Sequence, residues 1–233
     1  MMEQKVTLSF HDLEIGYKDQ PLSRPINLSL QEGELVALMG LNGVGKTTLF
    51  KTILKEQSAL DGEIKFRGSS LELNDLQHSV GIVYTERTHI FGFTVRDMIA
   101  MGRMPHTNRF GKLSKRDISI VDSYVRELGL EEIEHKQIDN LSDGQFQKVM
   151  IARVLVQETP VILLDEPTAF LDMKNKVMIY KLLKKIAKEQ KKTILVSTHQ
   201  IDFCADYCDK ALLFKDKALI EKSAQELSST DFD

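Results

Sequence analysis

The stretch that decides the fold is Gly40-Leu41-Asn42-Gly43-Val44-Gly45-Lys46-Thr47-Thr48. It has the G-x-x-x-x-G-K-T pattern, and it lies between an apolar run at 34–39 and a run at 49–54 that continues as a helix. Glycines allow backbone N–H groups to turn towards a polyphosphate, and the positive end of the following helix points at the same oxygens. Lys46 can reach the outer phosphates, and the Thr47 hydroxyl is placed to ligate Mg²⁺. The sequence therefore predicts a loop that binds a nucleoside triphosphate.

Composition and charge limit the classes of protein that this chain can belong to. With 233 residues, 42% hydrophobic and 28% charged, it has the composition of an ordinary globular protein. A net charge of -3 gives no electrostatic reason to expect a nucleic-acid partner. No apolar run approaches the length that crosses a bilayer, and the first residues lack a signal-peptide core. Cys204 and Cys208 lack the spacing of a metal or redox site, so we expect a soluble, intracellular protein with reduced cysteines.

Strand and helix patterns alternate on both sides of the phosphate loop. Residues 6–17 and 26–30 alternate apolar and polar side chains, which predicts two antiparallel strands joined near 19–21. A short strand is predicted at 62–68, between turn signals. Further strands are predicted from apolar runs at 80–84, 161–164 and 193–197, with a closing hairpin at 211–220. Helices are predicted at 142–157, at 173–190 and from Gln200 onwards.

The stretch from about 90 to 138 departs from this alternation, because its pattern is helical. Thr94 begins one predicted helix, and 114–128 form a second amphipathic helix. The apolar stripe of this second helix is predicted to consist of Ile118, Val121, Val125 and Leu128. We interpret the chain as one domain, with a helical subdomain of about 90–140 inserted into a core of 1–89 and 141–233.

Two carboxylates follow the predicted strand 161–164. This strand would deliver Asp165 and Glu166 to the carboxyl edge of the sheet, where the phosphate loop also opens. Asp165 is the expected partner of Mg²⁺, and Glu166 is placed to orient or deprotonate an attacking water. His199 follows the strand 193–197 and would emerge beside Glu166, within reach of a phosphate oxygen or of the water. An Asp-Glu pair alone is only a turn, but together with the phosphate loop it predicts a hydrolytic site.

The stretch 141–148 is not explained by one phosphate loop. Ser142 and Gln145 have the S-x-x-Q spacing of a capping box, so one interpretation is a well-capped helix start. The N–H groups at Ser142 and Gly144 would also form a second anion site. Because the chain has one phosphate loop, that second site would be filled only if two copies met head to tail. Tyr17, just past the first strand, either packs against a turn or offers its ring to an adenine base.

With these residues in view, the chain resembles the ATP-binding subunit of an ABC transporter over nearly its full length. The ordered motifs that carry the resemblance are the loop 40–48, Leu141-Ser142-Asp143-Gly144-Gln145, Leu164-Asp165-Glu166, Ala169-Phe170-Leu171-Asp172 and His199. The resemblance implies an α/β P-loop NTPase core with a mostly parallel sheet, an N-terminal antiparallel β subdomain and an inserted helical subdomain. It also implies a head-to-tail homodimer that sandwiches two ATP molecules, with Asp172 facing its counterpart and Tyr17 stacking on adenine.

The resemblance further implies that ATP hydrolysis drives transport through an integral membrane permease. The chain would then be a peripheral subunit on the cytoplasmic face of the cell membrane, and would act indirectly with a substrate-binding protein. Residues 94–106 are similar to the branch that serves iron-siderophore, haem and vitamin B12 importers. Two alternatives stay open: an exporter or non-transport assembly ATPase, and a nucleotide-gated module with negligible hydrolysis.

Two positions depart from the family pattern. The family has a Gln after the strand 80–84, where it contacts Mg²⁺ and the water, but here Thr85 stands at that position and Glu86 follows. A carboxylate there would bind metal more strongly and would repel the nucleotide when metal is absent, which implies an altered Mg²⁺ dependence. Asp143 stands where a Gly is common. Its charge suits a helix N-terminus but not a nearby phosphate, so we expect its side chain to point away.

Overall fold

The structure is a computed structural model that describes residues 5–18, 20–70, 72–84, 91–107 and 109–228, except the side chain of Asn74. The strands of the described residues are β1 (Val6–Glu14), β2 (Gly16–Tyr17), β3 (Gln20–Pro21), β4 (Ile26–Gln31), β5 (Leu35–Met39), β6 (Asp61–Phe66), β7 (Ser69–Ser70), β8 (Val80–Val83), β9 (Val161–Asp165), β10 (Thr193–Ser197), β11 (Lys210–Lys215) and β12 (Ala218–Ser223). The α-helices are α1 (Lys46–Ile53), α2 (Leu73–Ser79), α3 (Val95–Met101), α4 (Lys115–Glu127), α5 (Asp143–Val156), α6 (Met173–Gln190) and α7 (Ile201–Tyr207).

The central sheet has six strands in the order β12-β11-β5-β10-β9-β8. Five of them run parallel, and β12 closes one edge antiparallel to β11. Every residue of β5, β9 and β10 is buried, as expected for parallel strands that are covered on both faces. The carboxyl ends of these strands lie at one edge of the sheet. This edge therefore brings together the loop after β5, the carboxylates after β9 and the histidine after β10.

Two apolar clusters cover the two faces of this sheet. Because side chains alternate along a strand, Leu35 and Ala37 lie in one cluster, whereas Val36 and Leu38 lie in the other. The first cluster contains side chains of α3, α4, α5 and α6. The second contains side chains of α1, β1 and β4, so it joins the antiparallel sheet β4-β1-β6-β7 to the central sheet. The helices at 95–127 thus share a core with the sheet; the division into a core and a helical subdomain stays a prediction.

The predicted order of strands and helices is confirmed, with corrections near the N-terminus. The strand predicted at 6–17 is wrong in length, because β1 ends at Glu14 and its pairing with β4 shifts register between Phe10 and Leu13. The shift coincides with Asp12, whose φ of 46° interrupts the extended backbone. β2 pairs instead with β3 in a short hairpin. Helix α2 was not predicted, because its sequence has no apolar stripe.

The face that α4 turns to the core also differs from the prediction. Ile118 was predicted to lie on the apolar stripe, but it is 43% exposed. Val121, Val125 and Leu128 are buried as predicted, and Asp117 is buried beside them. Asp117 occupies the core-facing position because its carboxylate closes a capping box with Ser114 and pairs with an arginine.

That arginine, Arg103, ties the end of α3 to α4 and to the end of α5. Its Nε donates to Asp117 Oδ1 at 2.8 Å, and its Nη1 donates to Glu158 Oε2 at 2.8 Å and to the carbonyl of Val156. Hydrogen bonds from Ser114, together with Arg103, lower the pKa of Asp117 to about 2, although burial opposes the shift. Both charged groups are almost completely buried, so each depends on the other for compensation.

Arg103→Met is therefore expected to destabilise the chain by about 3–5 kcal/mol, because it leaves the buried carboxylate of Asp117 unpaired. Urea denaturation at pH 7 measures the loss. Since the folded-state pKa of Asp117 lies below its ordinary value of 3.8, its contribution to stability is present above that value and is lost as the pH falls through about 2. Arg116→Met is the matched control, because Arg116 is exposed and lies 3.8 Å from Glu158. Equal midpoints for the two variants would contradict the prediction.

Candidate nucleotide site

The loop between β5 and α1 is shaped by its glycines. Gly40, Gly43 and Gly45 have φ values of 145°, 77° and 120°, which L side chains rarely adopt. Helix α1 begins at Lys46 directly after Gly45, and no side chain caps it. Its first backbone N–H groups are therefore left to bind another acceptor. This is the arrangement of N–H groups and helix N-terminus that binds phosphate.

Lys46 folds back over this loop. Its Nζ donates to the carbonyl oxygens of Gly40 at 2.8 Å and of Leu41 at 3.0 Å, and the residue is only 7% exposed. Burial lowers the pKa of Lys46, while the negative charges of Glu166 and Asp165 act in the opposite direction. The ammonium group is thus held against the loop and lines the same cleft as the two carboxylates, where it would meet the outer phosphates of a nucleotide.

A chain of hydrogen bonds joins the loop to the ends of β9 and β10. Thr47 Oγ1 donates to Asp165 Oδ2 at 2.8 Å, and Ser197 Oγ donates to Asp165 Oδ1 at 2.6 Å. The same Ser197 hydroxyl accepts the backbone N–H of Glu166 at 2.8 Å. Ser197 was not among the predicted site residues, because its only signal in the sequence is a polar residue at the end of an apolar strand. The Ser197 hydroxyl therefore binds both the carboxylate of Asp165 and the backbone of Glu166.

The donors beside Lys46 fit Mg²⁺. The Thr47 hydroxyl and the Asp165 carboxylate supply hard oxygen ligands, the kind that this ion takes. Within the described ranges, no group of three or more His, Cys, Asp or Glu could hold a metal ion. Mg²⁺ needs no such group, because it is commonly held by one or two protein oxygens together with nucleotide phosphates. Thr47 and Asp165 are thus the residues that would hold it here.

Glu166 and His199 lie next to each other at the mouth of the site. His199 Nδ1 is 3.8 Å from Glu166 Oε1, and the His199 side chain is 64% exposed. Glu166 has a φ of 44°, a left-handed conformation that costs a non-glycine residue about 1–3 kcal/mol. The hydrogen bond from its N–H to Ser197 helps to hold this conformation. The structure therefore brings together the two residues that the sequence assigned to chemistry.

Residues of the phosphate loop, with Lys46, Thr47, Asp165 and Glu166, line a cleft of ≈ 530 Å³. Glu56 and Tyr84 also line this cleft, and the Tyr84 hydroxyl donates to Glu56 Oε2 at 2.6 Å. Tyr17 lies beside the loop, where Thr48 Oγ1 donates to its hydroxyl at 3.4 Å, and 48% of the residue is exposed. The tyrosine can therefore present its ring to a base. Thr85 and Glu86, the predicted substitutes for the family Gln, lie outside the described residues.

The segment before α5 forms a separate shallow cleft of ≈ 430 Å³, and it shares no described lining residue with the first cleft. The capping box predicted here is confirmed, since Ser142 Oγ accepts from Gln145 N at 3.3 Å and Gln145 Oε1 accepts from Ser142 N at 3.1 Å. Asp172 lines the same cleft and caps α6. At Gly144 a Cβ would lie 3.2 Å from the carbonyl of Phe170, so a side chain would crowd this cleft. Asp143 is exposed.

Comparisons with known proteins agree with this arrangement. Residues 23–169 match the family model described as ABC transporter. The chain is 38% identical over 216 residues to an uncharacterized ABC transporter ATP-binding protein of Methanocaldococcus jannaschii, covering 91% of this chain and 74% of the relative. It is 33% identical to the iron(3+)-hydroxamate import ATP-binding protein FhuC of Bacillus subtilis, covering 97% of this chain and 85% of FhuC. Other relatives are named as a probable siderophore transport system ATP-binding protein and a cobalamin import ATP-binding protein.

Comparison with solved structures shows that the similarity includes the fold. The ATP-binding cassette MJ0796, in a dimeric post-hydrolysis state bound to ADP and Pi, superposes with a TM-score of 0.82 at 26% identity. The match covers 94% of this chain and 100% of that one. The parallel sheet with its antiparallel companion is the fold that the sequence predicted. The chain belongs to the ABC transporter family, as one of its ATP-binding, ATP-hydrolysing subunits.

Proposed function

We propose that this chain hydrolyses ATP at the cleft between the phosphate loop and the ends of β9 and β10, as a subunit of an importer. The observation that carries this proposal is the short path from Thr47 through Asp165 and Ser197 to Glu166. This path supports the proposal because it links the loop before α1, two hard oxygen ligands and the Glu166 backbone at one edge of the sheet. Residues that only formed turns at the strand ends would not require a glycine-rich loop, metal ligands and a carboxylate base at one place.

Each group would have its own part in the reaction. The loop N–H groups and Lys46 would bind the phosphates, and Tyr17 would stack on the base. Mg²⁺, held by Thr47 and Asp165, would supply positive charge to the phosphate oxygens when it is bound. Glu166 would accept a proton from the attacking water, and His199 would hydrogen-bond to a phosphate oxygen or to that water. The hydrogen bond from the Glu166 N–H to Ser197 Oγ would keep the Glu166 backbone in place during the reaction.

The second half of the site would come from another copy of the chain. The cleft at Ser142 and Gly144 shares no described lining residue with the cleft at Lys46, which supports a site that two copies complete together. A head-to-tail dimer would place the Ser142 segment of each copy against the nucleotide of the other. Asp172, beside that segment, would then lie at the interface. The dimeric state of the cassette MJ0796 supports this arrangement.

A mixed dimer tests the shared site. One protomer carries Lys46→Ala and the other Ser142→Ala, with different affinity tags that allow the mixed dimer to be purified. Head-to-tail pairing puts both substitutions in one composite site and leaves the other intact, so we expect one site to stay active. Phosphate release measures ATP hydrolysis, and the number of ATP molecules bound per dimer measures how many sites bind nucleotide. Each homodimeric variant is the control. Two equally active or two equally impaired sites would contradict the shared site.

The transport role rests on the family and on the named relatives. We propose an integral membrane permease as the direct partner and a substrate-binding protein as an indirect one. No helix in the described part of the chain is long and apolar enough to cross a bilayer. The chain would lie on the cytoplasmic face of the membrane, bound to the permease. The names of the relatives, together with residues 94–106, favour uptake of an iron-siderophore, haem or cobalamin-type substrate over export.

A further inference from the structure

A tyrosine and a glutamate form a hydrogen-bonded pair inside the nucleotide cleft, and neither takes part in the proposed hydrolysis of ATP. The Tyr84 hydroxyl donates to Glu56 Oε2 at 2.6 Å. Both residues line the cleft together with Thr47 and Asp165, the two residues whose oxygens fit Mg²⁺. The pair therefore lies in the same cleft as the donors for the metal ion.

The register of the central sheet places Tyr84 beside Asp165. Val83 pairs with Leu164 in the parallel ladder of β8 and β9, and Tyr84 and Asp165 are the next residues along the two chains. Strands in a sheet lie about 4.8 Å apart, and residues paired in register point to the same face. The pairing of β8 with β9 thus brings the phenol of Tyr84 to the edge where the metal-binding carboxylate lies.

The turn that ends α1 brings Glu56 to the same cleft. Lys55 has a left-handed backbone with a φ of 57°, and Glu56 N donates to the carbonyl of Lys51 at 2.9 Å. Lys55 N donates to the carbonyl of Thr52 at 3.1 Å, which completes the hydrogen-bond pattern of a Schellman motif. These bonds hold the backbone of Glu56, although the residue itself is exposed. Glu56 therefore reaches Tyr84 from a fixed backbone position.

The hydrogen bond between the two side chains leaves them with acceptors for a further partner. A phenol has one O–H group, and that of Tyr84 is given to Glu56. Burial raises the pKa of Tyr84, and the hydrogen bond to Glu56 and the charges of Glu56 and Asp165 act in the same direction, so the phenol keeps its proton. The phenol oxygen and the second carboxylate oxygen can still accept hydrogen bonds. The pair is thus suited to a ligand that donates hydrogen bonds.

We propose that Tyr84 and Glu56 together bind a water molecule in the hydration shell of Mg²⁺ and so position the metal ion at the nucleotide. The inference rests on the proposed function and adds two positioning residues to its metal site. Mg²⁺ loses its waters reluctantly and keeps several of them when the protein supplies one or two ligands. A water on a cation donates strong hydrogen bonds, because the ion makes its protons more acidic. Two neighbouring acceptors match such a water.

The test measures metal affinity without hydrolysis. The isolated chain is saturated with ADP, and Mn²⁺ is titrated as the probe, because it takes the same oxygen ligands and the free ion gives an EPR signal. We expect Tyr84→Phe, which changes no charge, to weaken Mn²⁺ binding by about tenfold or more, the usual effect of losing a group that orients a metal's ligands. Calorimetry in EDTA measures ADP binding without metal, which should not change. Tyr124→Phe is the matched control, because the Tyr124 hydroxyl accepts from Gln190 outside the cleft.

A double-variant cycle tests whether the two residues act on one water. Glu56→Gln should also weaken Mn²⁺ binding, and the double variant should lose less than the product of the two single effects. Because Glu56 is exposed, its hydrogen bond contributes little to stability, and the Tm of Tyr84→Phe should stay within about 4 °C of the wild type. A purely structural role would lower the Tm and would weaken the binding of metal-free ADP as well.

Three outcomes overturn the proposal in different ways. If the wild type binds neither ATP nor ADP, the proposed function fails, and the inference fails with it. If the wild type binds ADP and Mn²⁺, and Tyr84→Phe binds Mn²⁺ equally well, the proposed function stands and only the inference fails. If Tyr84→Phe weakens ADP binding equally with and without metal, the phenol contacts the nucleotide or supports the fold, and the inference again fails alone.

Discussion

Glu166→Gln is expected to lower the rate of ATP hydrolysis by about 10²–10⁴-fold, the usual contribution of a general base. The amide has nearly the same shape as the carboxylate but cannot accept a proton from water. Its backbone N–H would still donate to Ser197, so the side chain should keep its place beside His199. Phosphate release measures turnover, and titration calorimetry measures ATP affinity, which should be at least as high as in the wild type.

This variant should also accumulate as an ATP-bound dimer, because hydrolysis would no longer separate the two copies. Size-exclusion chromatography with light scattering detects the dimer in MgATP. Glu189→Gln, on the exposed surface of α6, is the control and should turn over normally. Wild-type turnover by Glu166→Gln would remove Glu166 from the mechanism and leave His199 as the remaining candidate for the base.

Lys46→Met is expected to weaken ATP binding by about 100-fold or more, because it removes the buried ammonium that would meet the outer phosphates. In the free protein, Lys46 Nζ bonds only to backbone carbonyls among the described residues. Met can fill the same space, so the Tm should stay close to that of the wild type. Lys55→Met, just beyond α1, controls for the loss of one positive charge. Wild-type ATP affinity in Lys46→Met would contradict the assigned site.

The phosphate loop and the carboxylates after β9 were predictable because their signals are local. Glycines mark the loop at 40–45, and a run of apolar residues ending in Asp165 marks a buried strand. The parallel order of the strands then places these two elements at one edge without any further information. The long helix α6 has the predicted bounds, 173–190: Asp172 caps its start, and Lys191 ends it with a left-handed backbone.

The features that the sequence did not reveal depend on contacts between distant segments. Ser197 can bind Asp165 and the backbone of Glu166 only when β10 is paired with β9. Asp117 is buried, where a helix pattern would place it in solvent, because Arg103 approaches from the turn after α3. The end of β1 depends on its register with β4, which the alternation of side chains within 6–17 does not encode.

The position of β5 in the central sheet has a consequence for synthesis on the ribosome. This early strand, which leads into the phosphate loop, is flanked by β10 and β11, whose partner residues lie more than 150 positions later in the chain. At about 5–20 residues per second, roughly 8–30 s pass after β5 is made before either neighbour exists. Until then the edges of β5 have no lasting partner and are open to wrong pairing. β5 is the first strand of the central sheet to be synthesised, but both of its neighbours lie in the last quarter of the sequence. The nascent chain therefore cannot pair β5 correctly until that last quarter has been made.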